Sequence, residues 1–360
     1  METGVGRLPP VIVGRDPELS RIRDLVGSAR GGQGGALVIA GEAGIGKSAL
    51  VREALADYSH SRWLQGAETE RDLPYAALGA LCTPYLDRLD VLSDAHRTAL
   101  EIALGLRQGD APSRLIVGLA LLGVLADAAD REPIVVAVDD LQWVDQQSQD
   151  VLIVVARRLV AESLAMVFTI RTGPDHYPGL GGLTYIELTG LPVDAAATLL
   201  PRAHHSVVAT LTELTAGNPL AIIEASHGLS DGEMSGSRPI TGIVATRPEQ
   251  IFAERFDALP ESARSAVRLV AVAGDAPREV LTVALGVGGQ SLDDLVPAES
   301  TGLVRVERTA SWRHPLARSA ASRGTAAELV ETHRTLAAAW AEVAPELLRT
   351  PPARGISPTL

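Results

Sequence analysis

The chain has little of several residue types on which extracellular and nucleic-acid-binding proteins depend. Cys82 is the only cysteine among 360 residues, so an intramolecular disulfide cannot form, and a lone thiol is typical of the reducing cytoplasm. The 44 acidic residues outnumber the 32 basic residues, which gives a net charge of −12. An acidic surface repels the phosphate backbone of nucleic acids. We therefore expect a cytoplasmic protein whose surface does not bind nucleic acid nonspecifically.

Long apolar runs are also missing. The longest, from Leu115 to Ala126, is too short to span a bilayer and predicts a buried helix. Residues 1–30 carry charges throughout, which excludes the apolar core of a signal peptide. No membrane partner is expected.

Lysine and asparagine are almost absent. Of 32 basic residues only Lys47 is a lysine, and Asn218 is the only asparagine. A lysine that carries only surface charge can be replaced by arginine, whereas a site shaped for a compact ammonium does not accept a planar guanidinium. Lys47 is therefore expected to lie where arginine does not fit.

Apolar strands alternate with helices in the first half of the chain, which predicts a parallel α/β sheet. The predicted strands cover residues 36–40, 62–67, 133–140, 164–171 and 183–188. A helix is predicted over 47–58, and the pattern becomes helical after Pro192. Residues 230–248 are rich in Gly, Ser, Thr and Pro and are predicted to form a linker or exposed loop.

A glycine-rich loop follows the first predicted strand. Its sequence G-E-A-G-I-G-K-S fits the phosphate-binding pattern G-x-x-x-x-G-K-[ST]. Glycines let backbone amides point at phosphate oxygens, Lys47 suits the β- and γ-phosphates, and the Ser48 hydroxyl can ligate Mg²⁺. A chance match in an ordinary strand-to-helix turn is the alternative. The loop predicts ATP or ADP binding through Gly41, Gly44, Ile45, Gly46, Lys47, Ser48 and Ala49.

Two acidic residues end the strand predicted over 133–140. The stretch I-V-V-A-V-D-D resembles a Walker B strand, which places carboxylates at the sheet edge beside the phosphate loop. Asp139 is expected to hold Mg²⁺ through water, and Asp140 to orient the attacking water. Many relatives have glutamate in place of Asp140, so the shorter side chain predicts slow hydrolysis. The alternative is a strand that ends in a solvated acidic turn.

Arg171 closes the next predicted strand at the same edge of the sheet. We expect it to contact the γ-phosphate and to report on its presence, with a surface arginine at a strand end as the alternative. The predicted catalytic residues are therefore Lys47, Asp140 and Arg171, and the predicted metal ligands are Ser48 and Asp139.

Five stretches together resemble the signal-transduction ATPases with numerous domains, the STAND class of P-loop NTPases. They are V-G-R-D-P-E-L at 13–19, the P-loop, V-D-D-L-Q-W-V-D at 138–145, G-N-P-L at 217–220 and W-R-H-P-L-A-R-S-A at 312–320. Within this class the chain is most similar, over about residues 11–340, to large ATP-binding LuxR-type transcriptional regulators of actinobacteria. The P-loop is general to many NTPases, whereas the other stretches together are more specific.

The resemblance implies further nucleotide contacts. Gly14 and Arg15 match a motif near the base and sugar. Pro219 matches a proline that packs on adenine from a helical lid, although a helix start with Asn218 as N-cap explains the same residues, and both interpretations can hold. His314 resembles a winged-helix histidine that touches the ADP β-phosphate, with a structural histidine as the alternative.

The resemblance also implies the architecture. The expected fold is the parallel α/β sheet of an AAA-like P-loop NTPase, followed by an all-helical lid and a winged-helix-like domain. The predicted segments are the nucleotide-binding domain (1–192), the lid and linker (193–245), the winged-helix-like domain (246–325), and the start of helical repeats with a disordered tail (326–360). Full-length members end in a helix-turn-helix domain that binds DNA. No such pattern is found here, so we expect a fragment or a truncated relative.

Three functions fit the sequence. The first is the nucleotide switch of a transcriptional regulator, closed with ADP and open to self-association with ATP. The second is an autonomous ATPase that performs work and needs fast turnover. The third is the regulatory segment of a signalling enzyme, such as a nucleotide cyclase.

Overall fold

The computed structural model of the protein describes residues 12–66, 71–171, 178–240, 248–274, 276–306, 310–312, 315–322 and 325–343. The chain divides into two compact units, Met1–Pro239 and Ile240–Leu360. No helix in the described ranges is both long and apolar enough to cross a membrane.

In the first unit, strands alternate with helices around one parallel sheet. The strands are β1 (Gly35–Gly41), β2 (Ser61–Gln65), β3 (Ile134–Asp139), β4 (Leu164–Arg171) and β5 (Thr184–Leu188). The helices are α1 (Asp16–Arg30), α2 (Lys47–Ala54), α3 (Ala76–Cys82), α4 (Asp94–Ala103), α5 (Arg114–Ala129), α6 (Gln146–Ala156), α7 (Val193–Leu199), α8 (His205–Leu214), α9 (Pro219–Ser226) and α10 (Asp231–Met234). The strand order is β2-β3-β4-β1-β5, and every pairing is parallel.

The central strands β1, β3 and β4 are buried on both faces, which explains their nearly unbroken apolar sequences. Successive side chains along each strand enter two different cores. Val38 and Phe168 belong to the core that packs against α3 to α6. Ile39 and Val167 belong to the core that packs against α1 and α2. Helix α5 packs into the first of these cores, as its apolar run predicts.

Local sequence signals set the ends of several helices. Pro17 stands in the first turn of α1, where its missing amide costs no hydrogen bond, and Asp16 and Glu18 place negative charge at the same end. Ser93 caps α4 by accepting a hydrogen bond from the His96 amide at 3.4 Å.

Two predicted segments differ from the structure. The helix predicted over 47–58 ends at Ala54, because residues 55–57 form a turn and the Tyr58 hydroxyl donates to the Pro133 carbonyl, which directs the chain toward β2. The segment predicted as a linker contains the short helix α10. A capping box between Ser230 and Glu233 stabilises its first turn, which composition alone does not indicate.

Within its described residues, the second unit consists of helices and one antiparallel hairpin. Its helices are α11 (Pro248–Asp257), α12 (Glu261–Ala273), α13 (Arg278–Val287), α14 (Val296–Ser300), α15 (Pro315–Ala321) and α16 (Ala326–Val343). The hairpin pairs β6 (Val304–Val306) with β7 (Ala310–Trp312). Buried apolar residues of α12 and α13, such as Val267 and Leu281, contribute to its core. The winged-helix-like domain expected over 246–325 stays a prediction.

The only cysteine lies in the core of the first unit, at the end of α3. Cys82 is 2% exposed, and burial raises the pKa of its thiol from 9.0 to about 12. The thiolate is the reactive form, so we expect a disulfide reagent to label native Cys82 at least about a hundredfold more slowly than the unfolded chain. Labelling rates with and without denaturant measure this. Fast labelling of the native protein would show that α3 opens readily.

Candidate functional site

The phosphate-loop pattern forms the connection between β1 and α2. Gly44 and Gly46 have φ angles of +77° and +103°, a region that side chains with a Cβ rarely adopt. A Cβ on Gly44 would also lie 2.8 Å from the Leu220 Cβ. These glycines therefore let the loop curl while α9 approaches it closely.

Lys47 begins α2 and is 6% exposed. Its Nζ donates hydrogen bonds to the carbonyls of Gly41 and Glu42, each at 2.9 Å. These contacts hold the ammonium inside the curve of the loop. Such a space suits a compact ammonium better than a planar guanidinium. This agrees with the presence of the only lysine of the chain at this position.

Ser48 and Asp139 meet beside the loop. The Ser48 hydroxyl donates to Asp139 Oδ1 at 2.8 Å, and the Thr169 hydroxyl donates to the same oxygen at 2.6 Å. Thr169 reaches Asp139 because β4 lies between β1 and β3. Sequence reasoning missed Thr169, although it is the only polar residue of β4 before Arg171.

Asp139 is 2% exposed, and burial raises the pKa of its carboxyl above the ordinary 3.8. The hydrogen bonds from Thr169 and Ser48 act in the opposite direction, and the negative charge of Asp140 adds to the increase. A buried carboxylate beside a hydroxyl supplies hard oxygen donors, the ligands that Mg²⁺ prefers. The residues present therefore fit Mg²⁺, with Ser48 and Asp139 as the groups that would hold it.

Asp140 follows β3 in a left-handed backbone conformation, with φ of +52°. Its amide donates to the Thr169 hydroxyl at 2.9 Å, so Thr169 contacts both acidic residues. Gln142 donates from Nε2 to Asp140 Oδ1 at 2.6 Å and accepts from the Arg171 amide at 3.3 Å. Gln142, which sequence reasoning did not single out, thus links the predicted water-orienting residue to the end of β4.

Arg171 lies at the C-terminal end of β4, as predicted. Its guanidinium carbon is 5.8 Å from the centre of the Trp143 ring, and that of Arg71 is 5.9 Å from the same ring. Contacts of this length are favourable cation–π interactions. Trp143 therefore holds two arginines at the edge of the sheet where the acidic residues lie.

Asp145 is a further residue that sequence reasoning did not assign. It is 2% exposed and caps two helices at once. Oδ1 accepts from the amides of Ser148 in α6, at 2.9 Å, and Tyr75 before α3, at 2.8 Å. Oδ2 accepts from the Ala77 amide at 3.2 Å. Asp145 therefore fixes the loop after β3 against two helices.

The segment before α1 packs against α7. Gly14 has a φ of +62°, and a Cβ there would lie 2.7 Å from the Ala195 Cβ. Arg15 is 7% exposed and donates from Nη2 to the Thr189 carbonyl, just after β5. The structure thus brings Gly14 and Arg15 to the end of β5, the edge strand beside β1.

Pro219 is the first residue of α9, and Asn218 caps that helix. Two hydrogen bonds join this helix start to the phosphate loop. Asn218 Nδ2 donates to the Ala43 carbonyl at 2.9 Å, and the Leu220 amide donates to the Gly44 carbonyl at 3.3 Å. The predicted adenine contact is therefore placed next to the predicted phosphate contacts. His314 lies outside the described residues.

A family model matches part of the first unit. Residues 11–167 match the family model described as the AAA ATPase domain. The matched region contains the phosphate loop and the acidic end of β3 and stops before Thr169 and Arg171. AAA ATPase domains use nucleotide, typically together with Mg²⁺.

One similar solved structure is a Signal Transduction ATPase with Numerous Domains (STAND) protein with a tetratricopeptide repeat sensor from Pyrococcus horikoshii. It is 20% identical with a TM-score of 0.58, over 94% of this chain and 46% of that chain. An uncharacterized protein of Rhizobium meliloti (strain 1021) is 28% identical over 312 residues, which are 75% of this chain and 30% of the relative. The chain thus spans less than half the length of either protein.

At 20% identity, the likeness to the STAND protein shows a shared fold. The expected fold class, a P-loop NTPase sheet followed by helices, is confirmed. The family match supports an ATPase module of the AAA type.

Proposed function

We propose that the chain is an ATP- and ADP-binding switch module of a STAND-type, LuxR-family transcriptional regulator, with slow ATP hydrolysis. The observation that carries the proposal is the meeting of three elements at one place. Ser48 of the phosphate loop lies 2.8 Å from Asp139 of β3, and the start of α9 hydrogen-bonds to the same loop. A nucleotide bound there would contact both the sheet and a helix outside it.

Each residue has a role in the proposal. Lys47 neutralises the β- and γ-phosphates, and backbone amides of the loop surround them. Mg²⁺, held by Ser48 and Asp139, would neutralise charge on the phosphates. Asp140 orients the attacking water, and Arg171 contacts the γ-phosphate from the end of β4. Gly14, Arg15 and Pro219 line the side of the base and sugar.

The regulator role is supported by the stretches around the site. Within V-D-D-L-Q-W-V-D and G-N-P-L, Asp139 and Asn218 hydrogen-bond to the phosphate loop. His314 lies outside the described residues. In the proposal, ADP favours a closed arrangement, ATP favours self-association in the cytoplasm, and hydrolysis resets the switch. DNA would be bound by a different domain of the full regulator, since the net charge of −12 disfavours DNA binding by these residues.

The nucleotide that copurifies with the protein tests the binding site directly. We expect the wild-type protein to release ADP or ATP on denaturation, and Lys47→Ala to release little of either. Chromatography of the released nucleotide against known standards measures both. An empty wild-type site that also takes up no added ADP or ATP would reject the proposal.

Turnover separates a switch from an ATPase that performs work. We expect the wild-type protein to hydrolyse ATP well below the usual enzyme range of about 1–1000 per second, because the short Asp140 side chain is already hydrogen-bonded to Gln142. Asp140→Asn is expected to slow release of phosphate further while ATP affinity is kept. A phosphate-release assay on both proteins measures this, and a wild-type rate of many turnovers per second would favour the working ATPase.

A further inference from the structure

Asn218, the only asparagine of the chain, makes two different hydrogen bonds with its two side-chain atoms. Oδ1 accepts from the Ala221 amide at 3.3 Å and thereby caps α9. Nδ2 donates to the Ala43 carbonyl of the phosphate loop at 2.9 Å. The side chain is 2% exposed, so water does not compete for either contact. A helix cap needs only the acceptor.

The turn that carries Asn218 is held from both sides. The Leu220 amide donates to the Gly44 carbonyl at 3.3 Å, and the Leu220 side chain covers Gly44. On the other side, the Leu191 amide donates to the Gly217 carbonyl at 2.8 Å, which ties the turn to the segment after β5. The turn therefore sits at a defined distance from the phosphate loop.

Fixing a carbonyl also fixes the next amide. A trans peptide is planar, so the amide of Gly44 points away from the Ala43 carbonyl that Asn218 holds. The Gly44 carbonyl, held by Leu220, sets the direction of the Ile45 amide in the same way, and that amide also closes a turn to the Glu42 carbonyl at 3.3 Å. The Gly44 peptide belongs to the part of the loop whose amides would face phosphate oxygens, and the Ile45 amide helps to hold the curve of the loop.

We propose that Asn218 is a positioning residue that holds the phosphate loop in its anion-binding shape and couples α9 to the phosphates of a bound nucleoside diphosphate or triphosphate. This inference rests on the proposed nucleotide site and adds a regulatory contact to it. Displacement of α9 releases the Ala43 carbonyl and loosens the loop. Binding of phosphates, which requires the ordered loop, in turn favours the docked position of α9.

Asn218→Asp separates this role from helix capping. Aspartate has nearly the same shape and caps helices as well as asparagine, but when ionised it has no donor and places an oxygen against the Ala43 carbonyl. We expect its affinity for ADP to fall about tenfold relative to the wild type at about pH 8. Asn218→Ser caps the helix but is too short to reach Ala43, so we expect its affinity for ADP to fall by a similar amount. Ser230→Ala, which removes a cap of α10 away from the loop, is the matched control and should bind ADP normally.

Hydrogen exchange of the nucleotide-free protein gives a second readout. We expect peptides covering residues 41–48 to exchange faster in Asn218→Asp and Asn218→Ser than in the wild type, and not in Ser230→Ala. If the wild-type protein binds no nucleotide, the proposed function fails, and exchange alone decides whether Asn218 orders the loop. Wild-type exchange and wild-type ADP affinity in both Asn218 variants would overturn the inference and leave a purely capping role.

Discussion

Replacing Lys47 with alanine is expected to lower the affinity for ATP and ADP about tenfold to a hundredfold. The buried ammonium is held inside the loop by the carbonyls of Gly41 and Glu42, at the place where phosphates would bind. Charge-assisted contacts of this kind contribute about 1.5–3 kcal/mol each. Titration of wild type and variant with a fluorescent ATP analogue measures the change.

Two further variants sharpen this test. Lys47→Arg keeps the charge but not the compact shape, so we expect it to lose affinity as well. Arg23→Ala removes one positive charge from the exposed face of α1 and serves as the control for net charge. If Lys47→Ala binds the analogue as the wild type does, the P-loop assignment has to be abandoned.

Replacing Asp145 with alanine is expected to lower the free energy of unfolding by about 3–5 kcal/mol. The variant leaves the amides of Tyr75, Ala77 and Ser148 without their shared acceptor, and the Ser148 amide is buried. A loss of this size corresponds to a fall of about 10 °C in the melting temperature. Urea unfolding followed by circular dichroism measures the loss.

The control for this variant removes an ordinary cap. Ser93 caps only α4, through one hydrogen bond to His96, so Ser93→Ala is expected to cost about 1 kcal/mol or less. Asp145→Asn keeps one acceptor oxygen, so its loss of unfolding free energy should lie between those of Asp145→Ala and Ser93→Ala. If Asp145→Ala is no less stable than Ser93→Ala, the two helices do not depend on this carboxylate.

Residues close together in sequence carried most of what could be predicted. Unbroken apolar runs identified the buried strands, because a strand covered on both faces has no polar side to reveal. The spacing of glycines before Lys47 identified the phosphate loop, since a backbone that surrounds phosphate needs residues without a Cβ at fixed positions. The end of α2 was missed because it is accompanied by a long-range contact, the hydrogen bond from the Tyr58 hydroxyl to the Pro133 carbonyl. Helix α10 was missed because a local capping box forms it against the general composition of its segment.

Contacts across long stretches of chain could not be predicted in the same way. Thr169 lies 30 positions from Asp139, and Asn218 lies 175 positions from Ala43, yet each pair is joined by one hydrogen bond. The sequence suggested a cap for Asn218 because a cap is a local contact. It could not indicate the second hydrogen bond, which exists only because the turn before α9 folds back onto the loop.

The sequence by itself therefore determined the P-loop, the acidic end of β3 and the class of fold, because each depends on residue types at short, regular spacing. The tertiary structure alone decided which side chains support those motifs. The strand order β2-β3-β4-β1-β5 inserts β4 between the loop and the acidic strand. It thereby makes Thr169 a neighbour of Asp139 and Asp140, and joins the Arg171 amide to Gln142. Strand order is set by how distant segments share buried surface, which no local pattern records.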